Sequence, residues 1–395
     1  MLRLELSSRT LQEESCLVSR PCVKIVSSEY EKVLHTIRDD IGSHLIWLCI
    51  EETTDSCGRY MANVIVGKLS PSEPGKGHLI LCRELDVTNH RTIVRTVQAA
   101  LLSGLLWPTF PDEEVNKVLT LVTDAAPYMI KAGKSLKLLY PKMLHVNFLA
   151  HAMHKVAKEL REKLSSVNSV ISSVKKIFVK APSRVRAFNT MHPELPLPLE
   201  PILTRWGTWI LVAFYYAKNH RAIEEVINTF DEADSRYIAK AKATFKMKGL
   251  MPSLTFIKAY MSVIPEAILK LESRGMELVE VVTTIQGVVQ EADSWPGETG
   301  KTVKQKLEFM LAPNPGWSAA LDLERMLRGE SEPSEDFPNY SAQQAESFKY
   351  LPLVSVDVER SFSSLKLLLT DLRKSFKTKN IEKILVVQSN ADLLH

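Results

Sequence analysis

The segment that most constrains the fold runs from residue 45 to residue 67. Its first part, Leu45 to Ile50, is an apolar run with the length of a buried strand, and a second apolar run, Tyr60 to Val66, follows the Gly58 turn. The polar tip between the two strands carries three carboxylates, namely Glu51, Glu52 and Asp55. Acidic side chains at a strand end are candidate ligands for a hard metal ion.

Composition narrows the class of protein without choosing a function. The chain has 395 residues, of which 45% are apolar and 24% charged, so it can bury a sizeable core. Its net charge of only +4 says little about nucleic acid. Its five cysteines lack CxxC spacing, which favours a reducing compartment. No apolar run approaches the roughly 18 residues of a membrane helix. We therefore expect a soluble, intracellular protein without a membrane partner.

The region up to residue 164 has the pattern of a small α/β core. Residues 1–44 are predicted to be a loosely packed leader with one short helix, Glu31 to Ile41, and no assigned function. Further strands are predicted at Leu79 to Leu85, Lys117 to Val122 and Met143 to Asn147, and helices at about Asn89 to Leu105, after Asp124, and from His151 through Leu164. The order βββαβαβα matches an RNase H-like core, in which the first and fourth strands are neighbours. That pairing would bring Glu51 and Asp124 to one edge of the sheet.

The rest of the chain is predicted to be helical. Residues 165–340 are expected to form an all-helical insertion, which leaves through an acidic, Pro/Ser-rich exposed linker at Pro313 to Asn339. Residues 341–395 are expected to complete the core that begins at residues 45–164. They hold one helix from about Val358, with Glu359 in its first turn, and a second from Asn380 to Leu393.

Three acidic positions suggest phosphoryl-transfer chemistry. Two-metal catalysis needs carboxylates that hold two magnesium ions roughly 3.5 to 4 Å apart. The candidates are Glu51 or Asp55, Asp124, and Glu359, each at a strand end or a helix start. Such carboxylates also serve as helix caps or as solvated tips, so both interpretations stay open at this point.

Five words of sequence, in this order, resemble the hAT superfamily of transposases: IEETTDSCGRYMANVIVG, TLVTDAAPYMIKAG, HVNFLAHAMHKV, TRWGTW and PLVSVDVERSFSSLKLLLTDLR. The resemblance covers about Trp47 to Asn390. It implies an RNase H-like core interrupted by a large helical insertion, with a helical C-terminal dimerisation region at Pro352 to Asn390. The chain is also similar to the CGG triplet repeat-binding proteins, which are hAT-derived DNA binders.

The resemblance assigns roles to individual acids. Glu51 stands where the family has its first catalytic aspartate, Asp55 matches the second acid of that word, and Asp124 and Glu359 match the other two catalytic positions. An active enzyme would hold Mg²⁺ or Mn²⁺ on Glu51, Asp124 and Glu359. The extra methylene of Glu51 moves its carboxylate by more than an ångström, and misplacement on that scale can cost about a hundredfold in rate. A second interpretation is that Glu51 is a solvated relic of a lost site.

Two further words bear on DNA and metal binding. Arg205 and Trp206 match the family's RW word, which implies contact with flipped or hairpin DNA, although a Trp beside Trp209 can equally anchor the bundle core. In HVNFLAHAMHKV, Phe148 replaces the family's cysteine. His151 and His154 are therefore expected to be ordinary helix histidines without a metal.

Basic stretches offer nucleic-acid contacts or merely solvated helix faces. They comprise Lys240, Lys242, Lys246 and Lys248, and Lys366, Arg373, Lys374, Lys377 and Lys379. Cys16 and Cys22 lack histidines at finger spacing, so no BED-type zinc finger is predicted.

Together these features predict a degenerate or domesticated hAT transposase-like protein. We expect a nuclear, DNA-binding regulator of transcription that does not cut DNA. The enzymatic alternative is an active Mg²⁺-dependent DNA transposase. The second alternative is a protein whose main property is self-association, or association with other hAT-type chains, through its C-terminal region.

Overall fold

The structure is a computed structural model that describes residues 20–102, 112–198, 206–330, 340–353, 356–369 and 377–394. Within these ranges it contains a five-stranded mixed sheet and 16 α-helices, so most of the described chain is helical. None of the described helices combines the length and the apolarity that crossing a membrane requires.

The strands are β1 (Leu45–Thr54), β2 (Tyr60–Leu69), β3 (His78–Leu85), β4 (Val118–Thr123) and β5 (Leu144–Asn147). In chain order, the helices are α1 (Arg20–Ile41), α2 (His90–Leu102), α3 (Pro127–Leu139), α4 (Leu149–Lys163), α5 (Ser165–Phe178), α6 (Pro182–Met191), α7 (Trp206–Asn228), α8 (Arg236–Phe245), α9 (Leu250–Tyr260), α10 (Val263–Leu271), α11 (Leu278–Ala292), α12 (Gly297–Leu311), α13 (Trp317–Arg328), α14 (Ala342–Ser347), α15 (Val356–Leu368) and α16 (Thr378–Ser389).

The chain forms two compact units, each built from separate segments. The first unit comprises the described parts of residues 1–148, 274–279 and 314–395, and it contains the whole sheet. The second unit comprises the described parts of residues 149–273 and 280–313, and it is helical. The domain ranges expected from sequence stay predictions.

The sheet has the strand order β3-β2-β1-β4-β5. β1 pairs antiparallel with β2, β2 pairs antiparallel with β3, and β4 is parallel to both β1 and β5. The predicted neighbourhood of the first and fourth strands is therefore confirmed. A tight turn joins β1 to β2, and Gly58 adopts a φ of 79° there, a conformation that glycine accepts at little cost.

Helices cover the sheet on both faces because its strands are apolar on both. On one face α2 packs on β2 and β3, while α3 packs on α2 and β5. Asn89 begins α2 as predicted, since its Oδ1 accepts hydrogen bonds from the N–H groups of Arg91 (2.8 Å) and Thr92 (3.1 Å). α15 packs on β1 and β2, and α16 packs on β3.

The N-terminal region differs from the expected loose leader. α1 is 22 residues long, buries Val33, Leu34 and Ile37, and packs against α16. The phenol of Tyr30 donates a 3.1 Å hydrogen bond to Glu382 of α16. Ser and charged residues interrupt the helical period of this segment in the sequence, and tertiary packing against the distant α16 supplies what the local pattern lacks.

Two other elements extend beyond their predicted bounds. β1 continues to Thr54 because Thr53 and Thr54 pair with Met61 and Tyr60, so Glu51 and Glu52 lie inside the strand instead of at its tip. α13 occupies residues 317–328 of the predicted exposed linker. Gly329, with a φ of 73°, ends this helix, and the Pro/Ser-rich part at residues 331–339 lies outside the described residues.

The second unit is centred on α4, which packs against α7, α10 and α12. Its core includes the fully buried side chains of Phe188, Trp209 and Tyr216. α5 packs closely against α8.

Candidate functional site

The parallel pairing of β1 and β4 sets the geometry of the predicted acidic site. Cys49 pairs with Val122, which is the last registered pair. Glu51 lies two residues further along β1, and Asp124 lies two residues further along the chain, directly after the end of β4. Side chains at matching positions of adjacent strands point to the same face, and neighbouring strands lie about 4.8 Å apart. The fold therefore brings these two predicted acids to the edge of the sheet at which β4 ends.

The helix that carries the third predicted acid packs on the same face. Glu51 pairs with Asn63 of β2, so their side chains share a face, and the Asn63 amide donates a 2.7 Å hydrogen bond to Ser361 of α15. Glu359 lies in the first turn of α15 and is half-buried. Glu51 and the helix that carries Glu359 thus lie on one side of the sheet.

Glu52 points to the opposite face, where two hydroxyl groups hold its carboxylate. The hydroxyls of Thr88 and Tyr128 each donate a hydrogen bond of 2.7 Å to it. Burial, the hydrogen bond to Glu52, and the charges of Glu52, Asp124 and Glu51 raise the pKa of the Tyr128 phenol. One phenol is therefore within electrostatic reach of all three carboxylates at this edge.

Asp55 stabilises the hairpin turn. Its Oδ1 accepts hydrogen bonds from the N–H groups of Cys57 (2.8 Å) and Arg59 (2.9 Å), and its Oδ2 accepts one of 2.7 Å from the Arg59 guanidinium. Its side chain is only 1% exposed. Burial opposes ionisation, but the Arg59 backbone and side chain and the Cys57 N–H together lower the pKa of Asp55. The structure thus gives this carboxylate a role in the turn.

A hydrogen-bonded chain fixes the backbone just before Asp124. Thr123 donates its hydroxyl proton to the Asp124 carbonyl (2.7 Å), so the 2.9 Å contact with His145 Nε2 is one in which the imidazole donates. The Asp124 carboxylate accepts from the Ala126 N–H at 3.2 Å, just before α3 begins. His145 is buried, and this burial, with the charge of Lys137, lowers its pKa to about 4.

Asp357 is an acid of α15 that the sequence did not single out. It contacts Arg274, and Arg360 lies 3.7 Å away. Burial first, and then the charges of Glu51 and Asp357, raise the pKa of the Cys49 thiol in the middle of β1. Asp357 is two residues before Glu359 in the word VSVDVERSFS. The Asp357 carboxylate lies so close to Gly77 that a Cβ added there would be 2.9 Å from its Oδ2. This proximity arises only in the tertiary fold.

A charged cleft of about 370 Å³ opens beside Asp357 in the first unit. Its charged side chains form ion pairs, because Lys76 contacts Asp392 and Arg274 contacts Asp357. Three serines also line it: Ser361, Ser364 and Ser389.

Metal-ion chemistry needs several ligands that converge on one point. Across the described ranges, no three His, Cys, Asp or Glu side chains are grouped so that they could hold a metal ion. The binding of Mg²⁺ or Mn²⁺ that the resemblance implies stays a prediction. The catalytic assignment of Glu51, Asp124 and Glu359 stays a prediction.

The other predicted binding residues lie in the second unit or near the C-terminus. Arg205 lies outside the described residues, and Trp206 is the first residue of α7, with a side chain that is also outside them. His154 lies on α4, and its Nε2 is 3.0 Å from the Glu272 carboxylate. Lys366, Lys377 and Lys379 lie in the described part, whereas Arg373 and Lys374 do not.

Comparison with known proteins finds a family match in the N-terminal part of the chain. A family model described as "Domain of unknown function (DUF659)" matches residues 14–177. This domain is found in hAT-like transposase-related proteins. No curated protein matches the chain.

Proposed function

We propose that this chain is a hAT transposase-derived DNA-binding protein that acts as a regulator in the nucleus and does not cut DNA. One observation carries the proposal: β1 and β4 are adjacent and parallel, so Glu51 of β1 and Asp124, directly after the end of β4, lie at one edge of the sheet, and α15 packs on β1. This arrangement supports an RNase H-like core that inherited its acidic positions from a nuclease. The DUF659 match over residues 14–177 is independent support.

The identity and surroundings of the acids favour a protein that no longer cuts. Glu51 has one methylene more than the aspartate that the resemblance implies, and an ångström of misplacement can cost about a hundredfold in rate. The neighbouring acids offer no replacement, because Glu52 accepts two hydroxyl hydrogen bonds on the other face and Asp55 is bound to Arg59 in the turn.

The alternative of an active transposase draws on the same register of Glu51 and Asp124. It would require both acids and Glu359 to act together on a DNA phosphodiester. The alternative of a C-terminal association region has less support, since α15 and α16 bury most of their apolar side chains within the first unit.

A combined binding and nicking assay tests the proposal. The purified full chain is incubated with a labelled DNA duplex and, separately, with supercoiled plasmid in the presence of Mg²⁺ or Mn²⁺. We expect a mobility shift at 50 mM salt, about the lower end of the range in which phosphate contacts dominate, and no nicking. Failure to shift the duplex would overturn DNA binding.

Variants separate the regulatory protein from the enzyme. Nicking by the wild-type chain that Asp124→Ala abolishes would replace the proposal with the active transposase. Asp86→Ala is the matched control, because Asp86 is an exposed acid at the end of β3. Nicking that appears only in Glu51→Asp would support the view that Glu51 silences an otherwise intact site.

A further inference from the structure

Two segments of the second unit are basic and contain no acid. Residues 165–193 include five cations and residues 235–249 another five, and neither segment includes an Asp or Glu. The cations are Lys175, Lys176, Lys180, Arg184 and Arg186 in the first segment, and Arg236, Lys240, Lys242, Lys246 and Lys248 in the second. The chain as a whole carries a net charge of only +4, so these segments hold far more than their share of positive charge.

Packing brings the two segments together. α5 and α8 lie against each other, and α6 follows α5 directly. The Lys176 ammonium of α5 lies 4.8 Å from the centre of the Tyr237 ring at the start of α8. The C-terminal end of α5 therefore meets the N-terminal end of α8, and the cations of both segments form one surface, which we call the basic surface.

The cations of the basic surface face solvent, because the apolar side chains of the same helices are turned inward. α5 buries Val170, Val174 and Ile177, and α8 buries Ile238 and Ala241. Seven of the ten cations are exposed: Lys176, Lys180, Arg186, Arg236, Lys240, Lys246 and Lys248.

Two acidic residues contact cations of the basic surface. Asp234 lies 3.9 Å from Arg184, and Glu232 lies 3.9 Å from Lys242. Both acids belong to the short turn before α8, and both contact half-buried cations. Among the described residues, the cations of the basic surface outnumber these acids.

We propose that the basic surface binds the phosphate backbone of duplex DNA, independently of sequence. It spans about 15 Å along α8 from Arg236 to Lys246, since an α-helix rises 1.5 Å per residue. Duplex DNA presents one phosphate charge per about 1.7 Å, so several phosphates fit this length. This inference rests on the proposed DNA-binding function and adds the place where the DNA is held.

The aromatic content favours a duplex over a single strand. Single-strand binding uses several exposed rings on which successive bases stack. On the basic surface the Tyr237 ring is flanked by Lys176 at 4.8 Å and by Arg236 at 4.9 Å, and Arg236 also donates a hydrogen bond to its hydroxyl. A ring engaged by two cations orders them for phosphate contact instead of offering an open stacking platform.

The experiment compares two variants of the full chain that each lose four positive charges. The surface variant carries K176Q, K180Q, R186Q and K240Q. The control variant carries K218Q, K258Q, K270Q and K301Q, at exposed lysines elsewhere in the second unit. Binding to a 20-base-pair duplex, about two helical turns, is measured between 50 and 200 mM salt, with a single strand of equal length as a second ligand.

We expect the surface variant to lower the slope of log Kd against log salt by about 3 to 4, because each lost phosphate contact removes about 1. The control variant should keep the wild-type slope. If the surface variant unfolds by circular dichroism, the pairs K176Q/K180Q and R186Q/K240Q replace it, each with an expected loss of about 2.

The outcomes distinguish this inference from the proposed function. Equal slopes for the wild type and both variants would overturn the basic surface and leave DNA binding intact. Absence of duplex binding by the wild type would overturn both. Tighter binding of the single strand than of the duplex, or equal losses in the two variants, would also overturn the assignment of the surface to duplex DNA.

Discussion

At the scale of the residue, His145 links the acidic edge of the sheet to pH. Its buried imidazole donates to Thr123, which in turn donates to the Asp124 carbonyl. Its Nδ1 lies against α3, so close that a Cβ on Gly133 would be 2.1 Å away. A proton added at Nδ1 would therefore place a charge in a tightly packed, apolar contact.

The first prediction concerns acid stability. Burial lowers the pKa of His145 from 6.5 to about 4. Between these two pH values the imidazole is protonated in the unfolded chain and neutral in the folded chain. The free energy of unfolding is therefore unaffected by this group above pH 6.5 and decreases as the pH falls towards 4. The expected decrease is about 3 kcal/mol, at 1.36 kcal/mol per pH unit. Urea unfolding at several pH values should show this loss in the wild type and a smaller one in His145→Gln. His35→Gln, at a 73% exposed histidine, should keep the wild-type profile.

The second prediction tests the role of Asp55 in the turn. Asp55→Ala removes three hydrogen bonds to a charged acceptor and should lower the free energy of unfolding at pH 7 by about 2 kcal/mol. Because the pKa of Asp55 is lowered in the fold, the loss should be full above about pH 4 and should shrink as the pH falls through the folded value. Denaturant unfolding measures the free energy of unfolding of Asp55→Ala and of the control variant Asp86→Ala, which replaces an exposed acid. Equal stabilities of the two variants would contradict the role of Asp55 as a structural acid.

At the scale of the element, the strands were more predictable than the helices. Apolar runs bounded by turn residues marked all five strands and the neighbourhood of β1 and β4, because local composition and strand order settle them. The second half of α1 was predicted as the helix Glu31 to Ile41, but residues 20–30 escaped prediction because α1 packs against α16, more than 300 residues away. The candidate site was also predictable only in part. The positions of Glu51 and Asp124 follow from strand order and register, whereas the contacts of Asp357 and the Thr123–His145 contact form only in the folded chain.

The third prediction compares two glycines in different elements. Gly67 of β2 pairs with Trp47, and a Cβ there would lie 2.5 Å from the indole ring. Gly67→Ala should therefore destabilise the chain by about 1–3 kcal/mol through overpacking. Gly287 of α11 has open space around its Cα, so Gly287→Ala should stabilise by up to about 1 kcal/mol. Thermal unfolding followed by circular dichroism should move in opposite directions for the two variants, and a shift of the same sign would contradict the packing of Trp47 on Gly67.

At the scale of the whole molecule, the order of the chain differs from the order of the structure. The first unit is assembled from three separated segments, and its last segment supplies α15 over β1 and β2 and α16 over β3. Val358 and Leu365 of α15, with Ile381 and Leu385 of α16, are buried there within one chain. Apolar side chains that are already buried are not available for association with a second chain.

The fourth prediction follows from this in-chain packing. Deleting residues 352–395 would expose the apolar faces of the sheet and of α1, so the truncated chain should lose a cooperative unfolding transition in calorimetry and bind a hydrophobic dye. A region used only for dimerisation would behave differently, because its removal would halve the mass in light scattering and leave the transition unchanged. Leu367→Ser is the matched control: this α15 side chain is 76% exposed, so its replacement should alter stability by no more than about 0.5 kcal/mol. A drop in mass in Leu367→Ser without loss of stability would assign an associating face to the exposed side of α15 and would leave its buried side to the core.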